Sequence, residues 1–268
     1  MSKQSAESDL DAASSRAGVE IRTLTDLTEL DDARSVFDAV WPSGAGATQI
    51  QSNLMKAIVH AGGYASAAYR DERPIGAAFG FLGRHDERGV PVPHLHSHMA
   101  AVLDPYRDQH VGSALKMHQR VWCMDAGIDT IVWTFDPLVR RNAIVNLIKL
   151  GVDVEGFEVD FYGSMDDAIN AQDPTDRLFA WWRLTSPRAQ AASLGALHRL
   201  DAAELVATGR HIIEVELPAD IVSLRKSEPA VAAQWRVAVR EALVAAFAAG
   251  YSIVGVSAAG GYVLERTS

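Results

Sequence analysis

The sequence predicts an α+β fold, in which helices flank a mixed sheet and a smaller α+β unit follows. Two observations support this fold class. Short apolar runs of strand character alternate with segments whose apolar residues recur at helical spacing. Residues 64–83 also form two strand-like runs separated at Asp71–Arg73, which is typical of an antiparallel hairpin.

The first elements are bounded by strong local signals. A strand is predicted over Glu20–Leu24, and the helix after it begins near Asp26, with Glu29 three residues on as in a capping box. Trp41-Pro42 ends that helix because proline cannot continue it. A second helix is predicted over Thr48–Ala61, and the hairpin follows it.

Strands and helices alternate beyond the hairpin. A strand ends at Pro105, and a loop with one glycine leads into an amphipathic helix within 108–122. A strand over Thr130–Phe135, a helix over Arg140–Leu150 and strands over Val152–Tyr162 and Arg177–Ser186 complete the first unit.

The predicted organisation has three parts. Residues 1–17 are polar and predict a disordered leader, residues 18–186 form the main domain, and residues 187–268 form a small C-terminal α+β domain. The C-terminal part contains a long helix with an apolar stripe, ended by Gly250, and a probable hairpin that turns at Gly260-Gly261. The apolar stripe predicts that this helix packs on the main domain or on a second subunit. We therefore predict a homodimer.

Composition limits the function classes. The formal net charge of −9 over 268 residues repels polyanions, so nucleic-acid binding is not expected, whereas cationic amines are favoured. No apolar run is long enough for a membrane span, and a single cysteine, Cys123, excludes an intramolecular disulfide. Cys123 is predicted to be a buried, inert thiol, and the cytoplasm is the expected compartment.

The loop before the amphipathic helix is a candidate anion site. A helix start that follows a strand presents free N–H groups and the positive end of the helix dipole. Residues 108–113 supply such a start, so they are predicted to hold a phosphate. The alternative is an ordinary surface helix after a single-glycine turn.

Three features carry a family resemblance: the order of elements, the run Arg107-Asp108-Gln109-His110-Val111-Gly112 and the segment NAIVNLIKLGV. In these features the chain resembles the GNAT superfamily of acyl-CoA N-acyltransferases over about residues 19–185. His110 stands where the family signature has its first glycine. The resemblance implies a mostly antiparallel sheet that is splayed at the acyl-CoA site, and it implies acetyl-CoA or another acyl-CoA as cosubstrate. The cofactor-binding residues that it implies are Ala100, Ala101, Val102, Arg107, Asp108, Gln109, His110, Val111, Gly112 and Ser113.

The resemblance further implies direct transfer of a short acyl group to a primary amine, such as an amino acid or small metabolite. The segments WTFDPLVRRNAIVNLIKLG and DFYGSMDDAIN are similar to a little-characterised branch with a C-terminal extension, some members of which look linked to N-succinylation of amino acids. Succinyl is therefore a candidate acyl group. The alternative function is an acyl-CoA-binding or assembly module without catalysis.

Three residues are candidates for the proton transfers. Many family members use a tyrosine as the acid where this chain has Leu147, so Tyr162 is the nearest substitute, with a half-buried strand aromatic as the alternative. Asp136, at the end of an apolar strand, is a candidate base, with a turn or cap role as the alternative. His98 is a candidate proton relay near neutral pH.

Three residues are candidates for acceptor binding. Arg140 offers a guanidinium fork for a carboxylate, and Asn142 and Asn146 lie one turn apart on the same predicted helix. The alternative is a solvated helix start.

His94, His96 and His98 alternate along one strand face. Three such histidines span about 13 Å, too far for one ion to collect, so no metal is predicted and the histidines are expected to line the acceptor groove. A bland exposed strand face is the alternative.

Overall fold

The computed structural model describes residues 3–42, 47–87, 89–163 and 173–266. The chain divides into two compact units, the first reaching Trp133 and the second beginning at Thr134. Helices and strands occur in both units, which gives the α+β class expected from the sequence. No helix in the described ranges is long and apolar enough to cross a membrane.

The described residues of the first unit form four α-helices, a short 3-10 helix (Asp104–Tyr106) and five strands. In chain order the α-helices and strands are α1 (Lys3–Ala17), β1 (Glu20–Thr23), α2 (Leu27–Val40), α3 (Ser52–His60), β2 (Tyr64–Arg70), β3 (Arg73–Glu87), β4 (Val90–Val102), α4 (Val111–Asp125) and β5 (Thr130–Phe135). The strands follow one another in the order β1-β2-β3-β4-β5. Neighbours from β1 to β4 are antiparallel, and β5 is parallel to β4.

Helices cover both faces of this sheet. Alternate residues of a strand point to opposite faces. Ala77 belongs to the apolar cluster that includes residues of α2 and α3, whereas the neighbouring Gly76 lies against Val111 and Leu115 of α4. The helix α4 is therefore held on the face opposite α2, and its first turn lies close to the sheet.

The capping box predicted for α2 is confirmed. Glu29 N–H donates to the Asp26 carboxylate at 3.0 Å, and the Glu29 carboxylate accepts from Asp26 N–H at 3.3 Å. The helix ends at Val40, next to the predicted stop at Trp41-Pro42.

The first residues of the chain differ from the expected disordered leader, because Lys3–Ala17 form the helix α1, which packs against α4. Ala6 and Ala17 are buried, and Asp9 pairs with Arg120 of α4 at 3.4 Å. Small apolar residues and one buried arginine thus give a polar segment enough contacts to order it.

The strands of the second unit form an antiparallel pair and a separate three-stranded sheet. The elements of this unit are α5 (Arg140–Ile144) continuing into a π-helix (Val145–Leu150), β6 (Asp153–Glu158), β7 (Arg177–Arg183), α6 (Pro187–Ser193), α7 (Ala202–Ala207), β8 (Ile212–Val215), α8 (Ile221–Ser227), α9 (Pro229–Ala248), β9 (Tyr251–Val256) and β10 (Tyr262–Arg266). The strands β6 and β7 are antiparallel, and β8, β10 and β9 form an antiparallel three-stranded sheet.

The division at Thr134 lies well before the boundary expected at residues 186 and 187. Long-range hydrogen bonds explain why the chain after β5 belongs with the C-terminal part. The Tyr262 hydroxyl donates to the Pro137 carbonyl at 2.9 Å, and the Arg188 guanidinium donates to the Val254 carbonyl at 3.1 Å. Sequence periodicity carries no signal for such pairings.

Candidate functional site

The strands β4 and β5 pair over a short distance and then part. Their register consists of Leu95 with Ile131 and His96 with Val132, although β4 continues to Val102. Among the described residues, no strand pairs with 97–102 on this side. The backbone N–H and C=O groups of this stretch, which includes Ala100, Ala101 and Val102, therefore form an open strand edge.

A bulge lies at the start of the open edge. Phe79 of β3 pairs with Met99, and the next β3 residue, Gly80, pairs with Ser97, so His98 is the extra residue on β4. Bulges bend a strand and re-aim its side chains. The open edge therefore begins at a bend that carries His98.

The turn between β4 and α4 contains two residues in the left-handed backbone conformation. Asp108 and His110 both have positive φ angles, 61° and 65°. No side chain caps the helix, and its first internal bond runs from Ala114 N–H to the His110 carbonyl at 3.1 Å. The N–H groups of Val111, Gly112 and Ser113 thus belong to the first turn, where no carbonyl within the helix can accept from them.

Space is open above this first turn. A Cβ atom added to Gly112 would meet only a Val102 methyl group, at 4.0 Å. Gly112 and Ser113 are both exposed. An anion can therefore approach the N–H groups closely.

Side chains of the turn hold its shape. Arg107 forms a 2.7 Å ion pair with Asp104, and the Gln109 amide donates to the Pro105 carbonyl at 2.8 Å. The Gln109 oxygen accepts from Arg70 at 3.0 Å. Arg107 and Gln109, both predicted to bind the cofactor, are exposed and take part in contacts that fix the loop.

Lys116 lies on α4 beside the point where the strands part, and the sequence reasoning missed it. Its ammonium group donates to the Ser97 hydroxyl at 2.9 Å and lies 3.9 Å from the centre of the Trp133 ring. Ser97 and Trp133 are the residues that directly follow the last paired residues of β4 and β5. Burial lowers the pKa of Lys116 to about 7.

Two histidines of β4, His96 and His98, lie against Phe81. The ring of His96 stacks on Phe81 at 4.9 Å, and the ring of His98 lies 5.5 Å from the same ring. Desolvation lowers the pKa of His96 to about 4 and also lowers that of His98. Both imidazoles are therefore neutral at pH 7, and His98 is the more exposed.

No group of three or more His, Cys, Asp or Glu within the described ranges is arranged to hold a metal ion. His94 instead approaches His85, with 3.2 Å between their Nδ1 atoms.

Asp136 is enclosed by arginines of the second unit. Arg236 donates to its two carboxylate oxygens at 3.0 and 2.9 Å, and Arg225 donates at 2.6 Å. Burial opposes ionisation, but the two guanidinium groups outweigh it and lower the pKa of Asp136 to about 2. A carboxylate so well stabilised is a poor proton acceptor at neutral pH, and this environment argues against the predicted base role.

The sequence reasoning did not find Arg225 and Arg236. They lie on α8 and α9, about 90 to 100 residues after Asp136 in sequence. Both also bond to Asp173. Arginine on an otherwise apolar helix face was the available signal, because a buried guanidinium needs a partner.

Tyr162 is exposed, and its hydroxyl lies 3.0 Å from that of Thr134. The guanidinium of Arg177 lies over its ring at 5.3 Å. The position at which many members of the resembled family carry a tyrosine acid is filled by Leu147, which is fully buried.

The predicted acceptor-binding residues are placed inside the second unit. Arg140 donates to the Leu217 carbonyl and lies against Gly260. Asn146 is buried, and Asn142 is half-buried. These contacts argue against a direct role for Arg140 and Asn146 in binding an acceptor, because the Arg140 guanidinium is bonded within the unit and Asn146 is buried.

Cys123 is fully buried, and burial raises the pKa of its thiol. The thiolate is the nucleophilic form, so this environment makes the thiol inert. The alternative of a nucleophilic cysteine is not supported.

Comparisons with known proteins give structural likeness only. No family model matches the chain, and no curated protein matches it. A GNAT family acetyltransferase from Elizabethkingia anophelis with acetyl-CoA bound is 14% identical, covering 62% of this chain and 99% of its own, with a TM-score of 0.48.

An N-acetyltransferase from Staphylococcus aureus Mu50 is also 14% identical, with the same coverage and a TM-score of 0.49. An IAA acetyltransferase from Bacillus cereus ATCC 14579 gives 14% identity, the same coverage and a TM-score of 0.46. Likeness at this level says nothing about the reaction or substrate of the chain.

Proposed function

We propose that the chain is an N-acyltransferase that moves a short acyl group from coenzyme A to a primary amine. The observation that carries the proposal is the parting of β4 from β5 directly before an uncapped helix start. The strand β4 has an open edge, and the first turn of α4 has three free N–H groups. Coenzyme A has matching parts, an amide-bearing arm and a pyrophosphate.

The pyrophosphate is assigned to the first turn of α4. Its charge is favoured by the N–H groups of Val111, Gly112 and Ser113 and by the positive end of the helix dipole. The secondary amides of the pantetheine arm suit the backbone of 100–102, in the way an added strand pairs with a sheet edge. The protein's net charge of −9 disfavours anions globally, so these local donors have to supply the attraction.

The transfer proceeds by direct attack of the neutral amine on the thioester. His98 is the proposed base, because it is exposed at the bulge and neutral at pH 7. Cys123 supplies no nucleophile. The acceptor class, a succinyl donor, a cytoplasmic location, the homodimer and a role for Tyr162 stay predictions from the sequence.

The test replaces Ser113, which is exposed in the first turn of α4, by aspartate. A carboxylate there stabilises the helix by about 0.3–1 kcal/mol through the helix dipole, so the fold is preserved. The same carboxylate repels a pyrophosphate, which costs on the order of 1–3 kcal/mol. Calorimetry with acetyl-CoA should therefore show Kd raised roughly tenfold to hundredfold.

The matched control is Ser113→Asn, which has the shape of aspartate without its charge. It should bind acetyl-CoA more tightly than Ser113→Asp, and the gap between the variants should shrink at high salt. Equal affinities for the two variants, or no affinity in the wild type, would remove the phosphate assignment.

A second candidate is an acyl-CoA-binding module without catalysis. Two observations favour it, the buried Leu147 in place of a tyrosine acid and the engagement of Asp136 by two arginines. An assay of CoA thiol release with a panel of D- and L-amino acids and small amines distinguishes the acyltransferase from the binding module. Tight binding of acetyl-CoA without thiol release on the whole panel would establish the module.

A further inference from the structure

Lys116 is a charged group placed where the sheet opens. Its ammonium reaches Ser97 on one strand and the Trp133 ring on the other, so it lies beside the wedge between β4 and β5. No carboxylate of the described residues forms an ion pair with it. The residue as a whole is half-buried, and its ammonium group lies in a desolvated position.

Packing alone gives no reason for a lysine at this position. The end of the Lys116 side chain lies over the Trp133 ring, and Met or Leu at 116 would fill the same space without desolvating a charge. A buried ammonium costs stability unless it is well paired. One hydroxyl and one aromatic ring are weak compensation for that cost.

We propose that Lys116 donates the proton that the departing thiolate of coenzyme A requires. This inference rests on the proposed acyl transfer and names the acid that the chain lacks at Leu147. The arm of coenzyme A, laid along the open edge of β4, ends near the wedge, which brings the sulfur toward the Lys116 ammonium.

The step balances as follows. The nitrogen of the neutral amine forms a bond to the thioester carbon, and the carbonyl π electrons move to oxygen. When the carbonyl re-forms, the carbon–sulfur bond breaks and its electron pair goes to sulfur, which takes a proton from Lys116 Nζ. The attacking nitrogen loses one proton to the base and then to solvent, and Lys116 regains one from solvent. The products are the amide and the free thiol.

The surroundings fit a proton donor that works near neutral pH. Burial lowers the pKa of Lys116 to about 7, so about half of the enzyme carries the proton at that pH. The titratable neighbours that influence it are Cys123, whose pKa is raised by burial, and His96, whose pKa is lowered. Both are neutral at pH 7 and so leave the amine as the charged group at this point.

Charged groups from α1 are engaged elsewhere on α4. Asp9 pairs with Arg120, and Lys3 pairs with Asp125. From β4 and α4, Ser97 and Gln119 contribute uncharged hydrogen-bonding groups, which bond to each other at 3.0–3.1 Å.

The experiment compares Lys116→Met and Lys116→Arg with the wild type. Single-turnover consumption of acetyl-CoA is followed across pH 5.5–9.5, with the amine that gives the fastest thiol release. The wild-type rate, divided by the concentration of neutral amine at each pH, should fall as pH rises through about 7, because the donor loses its proton. Lys116→Met should be slower by about 10²–10⁴-fold and should lack this descending limb.

Two readouts separate a proton donor from a packing or charge role. Lys116→Met should bind acetyl-CoA with a Kd within about threefold of the wild type and should melt no lower, since it removes a buried charge. Lys116→Arg keeps the charge, but the pKa of a guanidinium is far higher than that of an amine and it donates a proton poorly, so this variant should stay slow. A fast Lys116→Arg variant would overturn the assignment in favour of a charge role.

The outcomes distinguish this inference from the function on which it rests. A wild type that releases no thiol with any amine contradicts the proposed function and this inference together. A wild type that turns over, with Lys116→Met equally fast and the descending limb retained, contradicts the role of Lys116 alone.

Discussion

His110 occupies a backbone conformation that glycine adopts more easily. Its φ of 65° and ψ of 2° lie in the left-handed region, which costs an ordinary residue about 1–2 kcal/mol. The family signature resembled by this loop has glycine at this position. The loop thus has the backbone geometry that glycine normally adopts there, and His110 is strained because it adopts that geometry.

His110→Gly should therefore raise the free energy of unfolding by up to about 1 kcal/mol, the relief of strain being partly offset by the greater freedom of glycine in the unfolded chain. Affinity for acetyl-CoA should be equal or higher, because the N–H groups of the first turn keep their positions. Chemical denaturation and calorimetry measure the two quantities.

Ser113→Gly is the control for this prediction. It places glycine two residues into the same helix turn, where φ is negative, and should lower stability by up to about 1 kcal/mol. If His110→Gly lowers stability as much as Ser113→Gly does, the histidine side chain contributes contacts that outweigh its strain.

At the scale of elements, buried ion pairs connect α8 and α9 to the segment after β5. Asp136 and Asp173 each accept from both Arg225 and Arg236. Asp176 joins the same network, because it pairs with Arg240 at 2.7 Å and with Arg236 at 3.8 Å. Removing one partner of such a network leaves buried charges uncompensated.

Asp136→Asn should destabilise the protein by about 3–5 kcal/mol, because Arg225 and Arg236 lose a shared carboxylate. Asp153→Asn is the matched control. Its ion pair with Arg183 is more exposed, so the same change there should cost about 0–1 kcal/mol. Urea unfolding of both variants measures the difference, and similar losses would show that burial of the network adds little.

The pH dependence of this network follows from the low pKa of Asp136. The carboxyl titrates at about 2 in the folded protein against an ordinary value of 3.8, so its ionised form is stabilised by folding. That contribution is fully present above about pH 4 and is lost as pH falls through about 2. The wild type should lose stability over this interval more steeply than Asp136→Asn.

Elements whose signals are local could be predicted from the sequence. The strand β5 has the predicted bounds of Thr130–Phe135, and α2 has its predicted capping box. The open edge and the start of α4 were also anticipated, from the resemblance and from the physics of helix ends. Each depends on residues within one or two turns of one another.

Features that depend on distant partners could not be predicted. The helix α1 is ordered by its contacts with α4, about 110 residues later, and the bonds of Asp136 come from α8 and α9. The sequence alone gives Lys116 no signal beyond that of one polar residue on an amphipathic helix. Its importance appears only when Ser97 and Trp133 are known to lie beside it.

At the scale of the whole molecule, the proposed ligand contacts lie in one unit. The open edge of β4, the first turn of α4 and Lys116 all precede Thr134, where the second unit begins. A ligand that binds only the folded state stabilises it by RT ln(1 + [L]/Kd), about 2.7 kcal/mol at one hundred times Kd. Amides that exchange by local opening report where that stabilisation acts.

Hydrogen exchange of the full chain with saturating acetyl-CoA should therefore slow most at 97–102 and 111–114. Amides of α9 that exchange by local opening should change little, because no proposed contact involves that helix. The variant Ser113→Asp, at the same acetyl-CoA concentration, should lose the protection at 111–114 and serves as the control. Protection centred on α9, with none at the start of α4, would place the ligand in the second unit, because binding slows exchange where the ligand holds the backbone closed.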